Sequence, residues 1–235
     1  MLAATTLQGR VVLRRDGAGP VLTGETGLVD GAATADVLVV AATTEDGRRV
    51  LVEVPARTTG IRVEREPVLG LTAAESARVR FDAVRGAGVL ADGALEDTLA
   101  FAHLVVAAIG VGIAQASFEA ALRYAQQRSA FGKPISQHQA IQLKLADMAT
   151  AVSAARLLVG DAGAEPVRAA IAKLKATETA VRVTLESMRT HGGYGYTAEF
   201  PVERHYRDAA RLVHMPIPED EARAIVAARL IVDHH

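Results

Sequence analysis

Apolar and polar positions follow two different periods along this chain. In the first part the period is short. Val11-Val-Leu alternates into Arg14-Arg15, and Asp16-Gly17 supplies a turn. Asp36-Val-Leu-Val-Val-Ala-Ala is a β-rich run, and Asp46-Gly47 reads as a hairpin turn before Arg49-Val-Leu-Val-Glu-Val. Thr59-Gly-Ile-Arg-Val and Ala77-Arg-Val-Arg-Phe-Asp alternate in the same way. Short strands at close spacing, with no long helical stretch between them, predict an antiparallel barrel or sandwich.

From about residue 95 the period lengthens. Glu96 to Arg128 is almost free of breakers apart from Gly110 and Gly112. Ile141, Leu145, Met148, Val152 and Ala155 are spaced by four, three, four and three, one apolar stripe of a helix. Gly160-Asp-Ala-Gly163 breaks that pattern, and Pro166 suits the first turn of the next helix. Val167 to Arg189 reads as a third helix closed by the glycines after His191, and Glu219 to Asp233 as a fourth. The expected fold is α+β: a small antiparallel β-barrel or sandwich domain over residues 1–92, then a four-helix up-down bundle over residues 93–235. No internal repeat or low-complexity tract is visible.

Composition narrows the function. The 235 residues are 50% hydrophobic, enough for a sizeable core. With 26 basic and 27 acidic side chains, a net charge of -1 gives no electrostatic case for nucleic acid or an anionic membrane. The absence of cysteine excludes disulfides, thiolate metal sites and cysteine nucleophiles, and it fits a reducing cytoplasm, the expected location. No metal site is expected. The start, Met1-Leu-Ala-Ala-Thr-Thr, has no basic region followed by an apolar run. Leu104 to Ala116 is apolar but short, and reads as a buried core helix rather than a membrane span.

Two segments carry the strongest signal. They are Tyr124-Ala-Gln-Gln-Arg128-Ser-Ala-Phe131-Gly132-Lys133-Pro134-Ile135 and His191-Gly-Gly-Tyr-Gly-Tyr196, the latter followed by Pro201-Val-Glu-Arg204 and Arg207-Asp208-Ala209. With His138-Gln139 and Leu145-Ala-Asp-Met148 between them, they resemble in type, spacing and order the C-terminal helical domain of the acyl-CoA dehydrogenases. These flavoenzymes desaturate acyl-CoA thioesters. The first part of the chain resembles the family's middle β-domain more weakly, through Gly24, Gly31-Ala-Ala-Thr-Ala-Asp36 and Phe81-Asp-Ala-Val.

The resemblance implies roles, and each residue also has a plainer reading. Arg128, a planar fork of donors, would reach the FAD of a neighbouring subunit, or it is a helix-end arginine facing solvent. Phe131 would lie near the adenine end of FAD, or in the core. Gln139 would hydrogen-bond the cofactor, or be a polar helix residue. Gly192 and Gly193 would let backbone approach the cofactor, stop a helix, or both. The Gly-Gly-x-Gly-Tyr run follows a helix rather than a strand, so it is not a Rossmann fingerprint. Glu203, Arg204, Arg207 and Asp208 either form structural ion pairs or touch a ligand.

Other features of the family are missing. The reaction needs a carboxylate base, and the two places where the resemblance puts one hold Pro216 and Ala102. Glu219 and Glu221 could substitute, but Pro218-Glu-Asp-Glu reads better as the acidic opening of the last helix. His103 and His214 are lone histidines that read as structural. Family members begin with a helical domain for which this chain has no room. The strand that holds flavin and CoA phosphates would precede Thr6, and the aromatic and hydroxyl groups that cover the isoalloxazine would fall near Gly27 and Val29.

The resemblance therefore implies a non-catalytic subunit of a heteromeric acyl-CoA dehydrogenase, a theme known from actinobacterial steroid side-chain degradation. A full-length subunit would supply the base and the acyl pocket in a mixed tetramer. This chain would complete the partner's FAD site, and an electron-transferring flavoprotein would take the electrons. The alternatives are an active homo-oligomer with a relocated base, Glu219 or Glu221, and a flavin-free scaffold.

Overall fold

In a computed structural model, residues 1–163 and 165–232 are described, apart from the side chain of Val232. They divide into two compact units, Met1–Leu99 and Ala100–His235.

The first unit is a sheet of eight strands. These are β1 (Ala3–Thr6), β2 (Gly9–Asp16), β3 (Gly19–Thr26), β4 (Val37–Thr44), β5 (Arg49–Pro55), β6 (Ile61–Arg65), β7 (Ala77–Arg85) and β8 (Gly88–Val89). The order is β6-β7-β3-β2-β4-β5-β8, with β1 also on β4. Both expected turns form. The β2–β3 turn is tied by the Ala18 amide donating to Asp16 Oδ1 at 2.9 Å, and the β4–β5 turn by the Thr44 amide donating to the Arg48 carbonyl at 2.8 Å. Alternation puts Val11, Leu13, Leu22, Leu38, Val40, Val52, Val54, Val79 and Phe81 into one core.

The expected antiparallel barrel is corrected in two respects. β1 and β2 both run parallel to β4, pairing Ala3 with Val37 and Val12 with Thr43, so the sheet is mixed. It is also open, with β6 and β8 at its edges rather than paired to each other. Alternation reports which face a side chain takes, not the direction of the neighbouring strand.

The second unit holds most of α1 (Ala94–Gln127), then α2 (Gln139–Ala162), α3 (Pro166–His191), α4 (Val202–Leu212) and α5 (Glu219–Val232). The four-helix expectation is thus replaced by five helices among the described residues. The extra one is α4, a short polar helix whose Val202, Ala209 and Leu212 are buried. Asp233, the expected end of the last helix, lies outside the described residues. Glu165 caps α3, accepting from the Val167 and Arg168 amides with Pro166 in the first turn. α2 runs on through Gly160 to Ala162, past the expected break.

α1 has 34 residues, close to the expected breaker-poor stretch from Glu96 to Arg128. By length and composition it could cross a membrane, and 39% of its most apolar window is buried. Its packed face is mostly small residues, Ala100, Ala107, Gly110, Ala114, Ser117 and Ala121, with His103 among them as a large buried side chain. At Gly110 an added Cβ would sit 3.2 Å from the Ala176 carbonyl oxygen, so glycine permits a close approach to α3. Ser187 of α3 donates to the Ser117 carbonyl at 2.8 Å, and Ser117 Oγ lies 3.0 Å from His205 Nδ1 of α4. α2 lies against α3, where Lys144 and Glu186 pair at 2.7 Å.

Candidate functional site

The last turn of α1 runs into a hairpin of two short strands, β9 (Ser129–Ala130) and β10 (Lys133–Pro134). The Ile135 amide donates to the Arg128 carbonyl at 2.8 Å, which fixes the base of this hairpin. At its tip Phe131 and Gly132 both have positive φ, 52° and 81°. Two such residues form the turn that suits a tight hairpin, but a phenylalanine there is strained by about 1–2 kcal/mol. Phe131 is also 96% exposed, its ring edge-on to His138 at 6.2 Å. The chain thus displays a large apolar ring in solvent on a strained backbone. Strain of this kind is a pointer to function.

α3 ends beside this hairpin. Gly192, with φ 61°, closes the helix as its amide donates to the Arg189 carbonyl. A one-turn 3-10 helix over Gly192–Tyr196 follows. Gly195 is demanded by packing, since a Cβ would lie 2.3 Å from the Met188 carbonyl oxygen. Gly193 is different: it has no positive φ, and nothing lies within 4 Å of its missing Cβ.

Between these elements is an open cleft of about 450 Å³, lined by Tyr124, Arg128, Arg189, His191, Gly192, Gly193 and neighbouring residues. Of the five residues expected to contact a cofactor, the structure brings Arg128, Gly192 and Gly193 to this cleft. Phe131 and Gln139 do not line it. Phe131 is at the hairpin tip, and Gln139 is the exposed first residue of α2. Phe131 is also not a core residue, the plainer reading it had. Arg128 is exposed and has no ion pair among the described residues. Arg189 on the opposite rim is held by Glu186 at 2.5 Å, and Glu186 in turn by Lys144. Burial pushes the Glu186 carboxyl up, but its hydrogen bonds to Lys144 and Arg189 outweigh this and lower its pKa. Arg189, His191 and Tyr194 carried no role in the sequence reading. Only their adjacency to the glycine run could have suggested one.

Tyr124 and His191 of the cleft lining belong to an aromatic cluster. Tyr124 stacks on His191 with centroids 4.3 Å apart, and Phe200 packs on both, at 5.5 Å from Tyr124 and 5.2 Å from His191. His191 Nδ1 is 2.8 Å from the Ser187 carbonyl. Burial lowers the pKa of His191 below the usual histidine value, partly opposed by that hydrogen bond.

Several candidates take structural places instead. Glu203 and Arg207 pair along α4 at 2.7 Å. Glu219 opens α5 and pairs with Arg223 at 2.8 Å, alongside Asp220 at 3.1 Å. His103 is buried at 1% exposure. Val29 is also core, its amide donating to the Ala77 carbonyl at 2.8 Å. At Gly27 an added Cβ would lie 3.1 Å from Gln8 Cβ, so a larger residue there would displace Gln8.

Comparison with known proteins identifies the family. The family model for the acyl-CoA dehydrogenase C-terminal domain matches residues 92–230. The short-chain specific acyl-CoA dehydrogenase of Bos taurus mitochondria is 37% identical over 238 residues, covering 93% of this chain and 58% of that protein. Butyryl-CoA dehydrogenase from Megasphaera elsdenii superposes with a TM-score of 0.88 at 28% identity, over 97% of this chain and 68% of that one. A variant of the Tcur3481-Tcur3483 steroid ACAD superposes with a TM-score of 0.86 at 26% identity, over 97% and 63%. The chain spans less than two thirds of the length of the curated relatives it matches.

Proposed function

The chain belongs to the acyl-CoA dehydrogenase family, and from that premise we propose that it is the non-catalytic subunit of a heteromeric, FAD-dependent acyl-CoA dehydrogenase. A full-length subunit carries the acyl pocket and the base, the two assemble as a mixed tetramer, and an electron-transferring flavoprotein takes the electrons. The observation that carries this reading is the convergence of Arg128 and the Gly192-Gly193 turn on one open cleft. A cation without an ion pair and a glycine that its own chain does not require fit the diphosphate of a dinucleotide. Bound FAD would supply the hydride acceptor for desaturating an acyl-CoA thioester. This chain's own residues bind and orient. Arg128 neutralises the diphosphate, the glycine turn admits it closely, and Phe131 on its hairpin offers a face for the adenine. Proton abstraction falls to the partner, because Ala102 and Pro216 stand where the family resemblance places a base and neither takes a proton.

The test is coexpression with a full-length acyl-CoA dehydrogenase, purification of the complex, and its visible flavin spectrum. The isolated chain is expected to carry little flavin and the complex a stoichiometric band. In the complex, Arg128→Ala should weaken FAD binding at least about tenfold, as for a lost charge-assisted hydrogen bond, with the far-ultraviolet circular dichroism unchanged. Turnover by the isolated chain, lost on Glu219→Gln or Glu221→Gln, would establish the homo-oligomeric enzyme instead. No flavin in any assembly, with Arg128→Ala harmless, would establish the scaffold.

Phe131→Asn separates display from stability. Asparagine tolerates positive φ better than phenylalanine, so the variant should be more stable by about 1 kcal/mol, read as a rise of a few degrees in Tm. It should also hold FAD less tightly in the complex. A variant that is less stable, or equally stable with FAD held as before, would refute the assignment of a strained display.

A further inference from the structure

We propose that His191 selects for nucleotides in this cleft: its unprotonated Nε2 accepts a hydrogen bond from a ribose hydroxyl or the adenine amino group of the adenosine diphosphate half of a dinucleotide. The proposal rests on the reading that the cleft completes an FAD site. It goes beyond that reading in giving a specific atom a specific task.

The tautomer follows from geometry. Nδ1 lies 2.8 Å from the Ser187 carbonyl oxygen. A carbonyl only accepts, so Nδ1 carries the proton, and in a neutral ring Nε2 carries a lone pair. Among the described residues, none is hydrogen-bonded to Nε2. Burial keeps the ring neutral by lowering its pKa. The ring is also clamped, stacked on Tyr124 at 4.3 Å and packed by Phe200 at 5.2 Å, so it holds its orientation without a ligand.

The surroundings state what ligand group is wanted. Arg128 and Arg189 both line the cleft, and arginine only donates. A simple anion would satisfy the arginines and leave Nε2 without a partner. A nucleoside diphosphate satisfies both, offering phosphate to the arginines and hydroxyl or amino donors to the imidazole. A volume of about 450 Å³ in an open cleft suits part of a dinucleotide.

The experiment uses the coexpressed complex loaded with FAD. ADP, IDP and 2′,3′-dideoxy-ADP each compete for the cleft, and displaced FAD is read by its fluorescence. IDP lacks the amino donor and the dideoxy compound lacks the ribose hydroxyls. In the wild-type complex one analogue should compete about tenfold less well than ADP, the effect of leaving one buried acceptor unpaired. Failure of IDP assigns the amino group, and failure of the dideoxy compound assigns a hydroxyl. His191→Phe should bring the three competitors within about twofold of each other, and His191→Gln, which keeps an acceptor, should restore part of the preference. A merely structural role for His191 would change all three affinities together and leave their ratios intact. Equal competition in the wild type, or a preference that survives His191→Phe, overturns the proposal alone. A wild-type complex without flavin overturns the site reading together with it.

Discussion

Stability of the helical unit is expected to rise with pH in two separate windows, and two single substitutions should each abolish one of them. Lys173 is completely buried and donates to the Val213 carbonyl at 2.8 Å. Burial lowers its pKa from 10.5 to about 8; nearby Glu219 opposes this shift, and Arg223 adds to it. His103 is buried, with neither ring nitrogen hydrogen-bonded among the described residues. Burial, and secondarily the Lys173 charge, lower its pKa from 6.5 to about 4. In both cases the folded chain binds the proton less well than the unfolded chain, so unfolding takes up protons between the two values.

For His103 the stabilisation is complete above pH 6.5 and is lost as the pH falls to about 4, a contribution of about 3 kcal/mol. For Lys173 the burial penalty is fully present below pH about 8 and is relieved as the pH rises to 10.5, again about 3 kcal/mol. Urea titrations at a series of pH values, compared between variants, isolate the two contributions. His103→Leu should flatten the acid window. Lys173→Met should flatten the alkaline one and move the His103 window slightly upward, because a neighbouring positive charge is gone. Parallel pH profiles for wild type and either variant would show that the group is not buried as described.

Gly24→Ala should be the most damaging substitution in the β-unit. Gly24 lies in β3, between β2 and β7, at the point where pairing with β7 shifts register. Its φ is 130°, and an added Cβ would lie 2.0 Å from the Arg10 carbonyl oxygen and 3.0 Å from Val11 Cα. Both obstacles are backbone of the neighbouring strand, so no side chain can move aside. The expected loss is at least about 3 kcal/mol, the range of backbone strain combined with a broken ladder. Gly47→Ala is the control. Its φ of 83° is also positive, but nothing lies within 4 Å of the new Cβ, so only the dihedral penalty of about 1 kcal/mol applies. Equal effects of the two substitutions would mean that the dihedral, not the close approach, governs Gly24.

Much of the fold could be read from local pattern. The turns at Asp16-Gly17 and Asp46-Gly47, the capping proline at Pro166 and the glycine stop after His191 are local chemistry, and each stands where it was expected. No pattern in the sequence marks β1, β3, β8 or α4. α4 is 11 residues long and rich in charged side chains, with its buried residues at only three positions. A helix so short is held by packing and by its Glu203–Arg207 pair, not by a stripe visible in sequence. Among the expected site residues, Phe131 and Gln139 stand outside the cleft, because a hairpin and a helix start carry them away from it.

The sequence by itself determined the family, the change from a β period to a helical one near residue 95, and the candidates Arg128, Gly192 and Gly193. Only the tertiary structure decided that β1 and β2 lie parallel to β4, that the sheet stays open, and that His191 Nδ1 meets the Ser187 carbonyl. The physical reason is range. Period, turn and cap depend on residues within a few positions of each other, and the chain states them directly. Strand direction and the sharing of one cleft by α1 and α3 depend on groups more than thirty residues apart. Burial, which sets the pKa values of His103, Lys173 and His191, exists only once those groups have met.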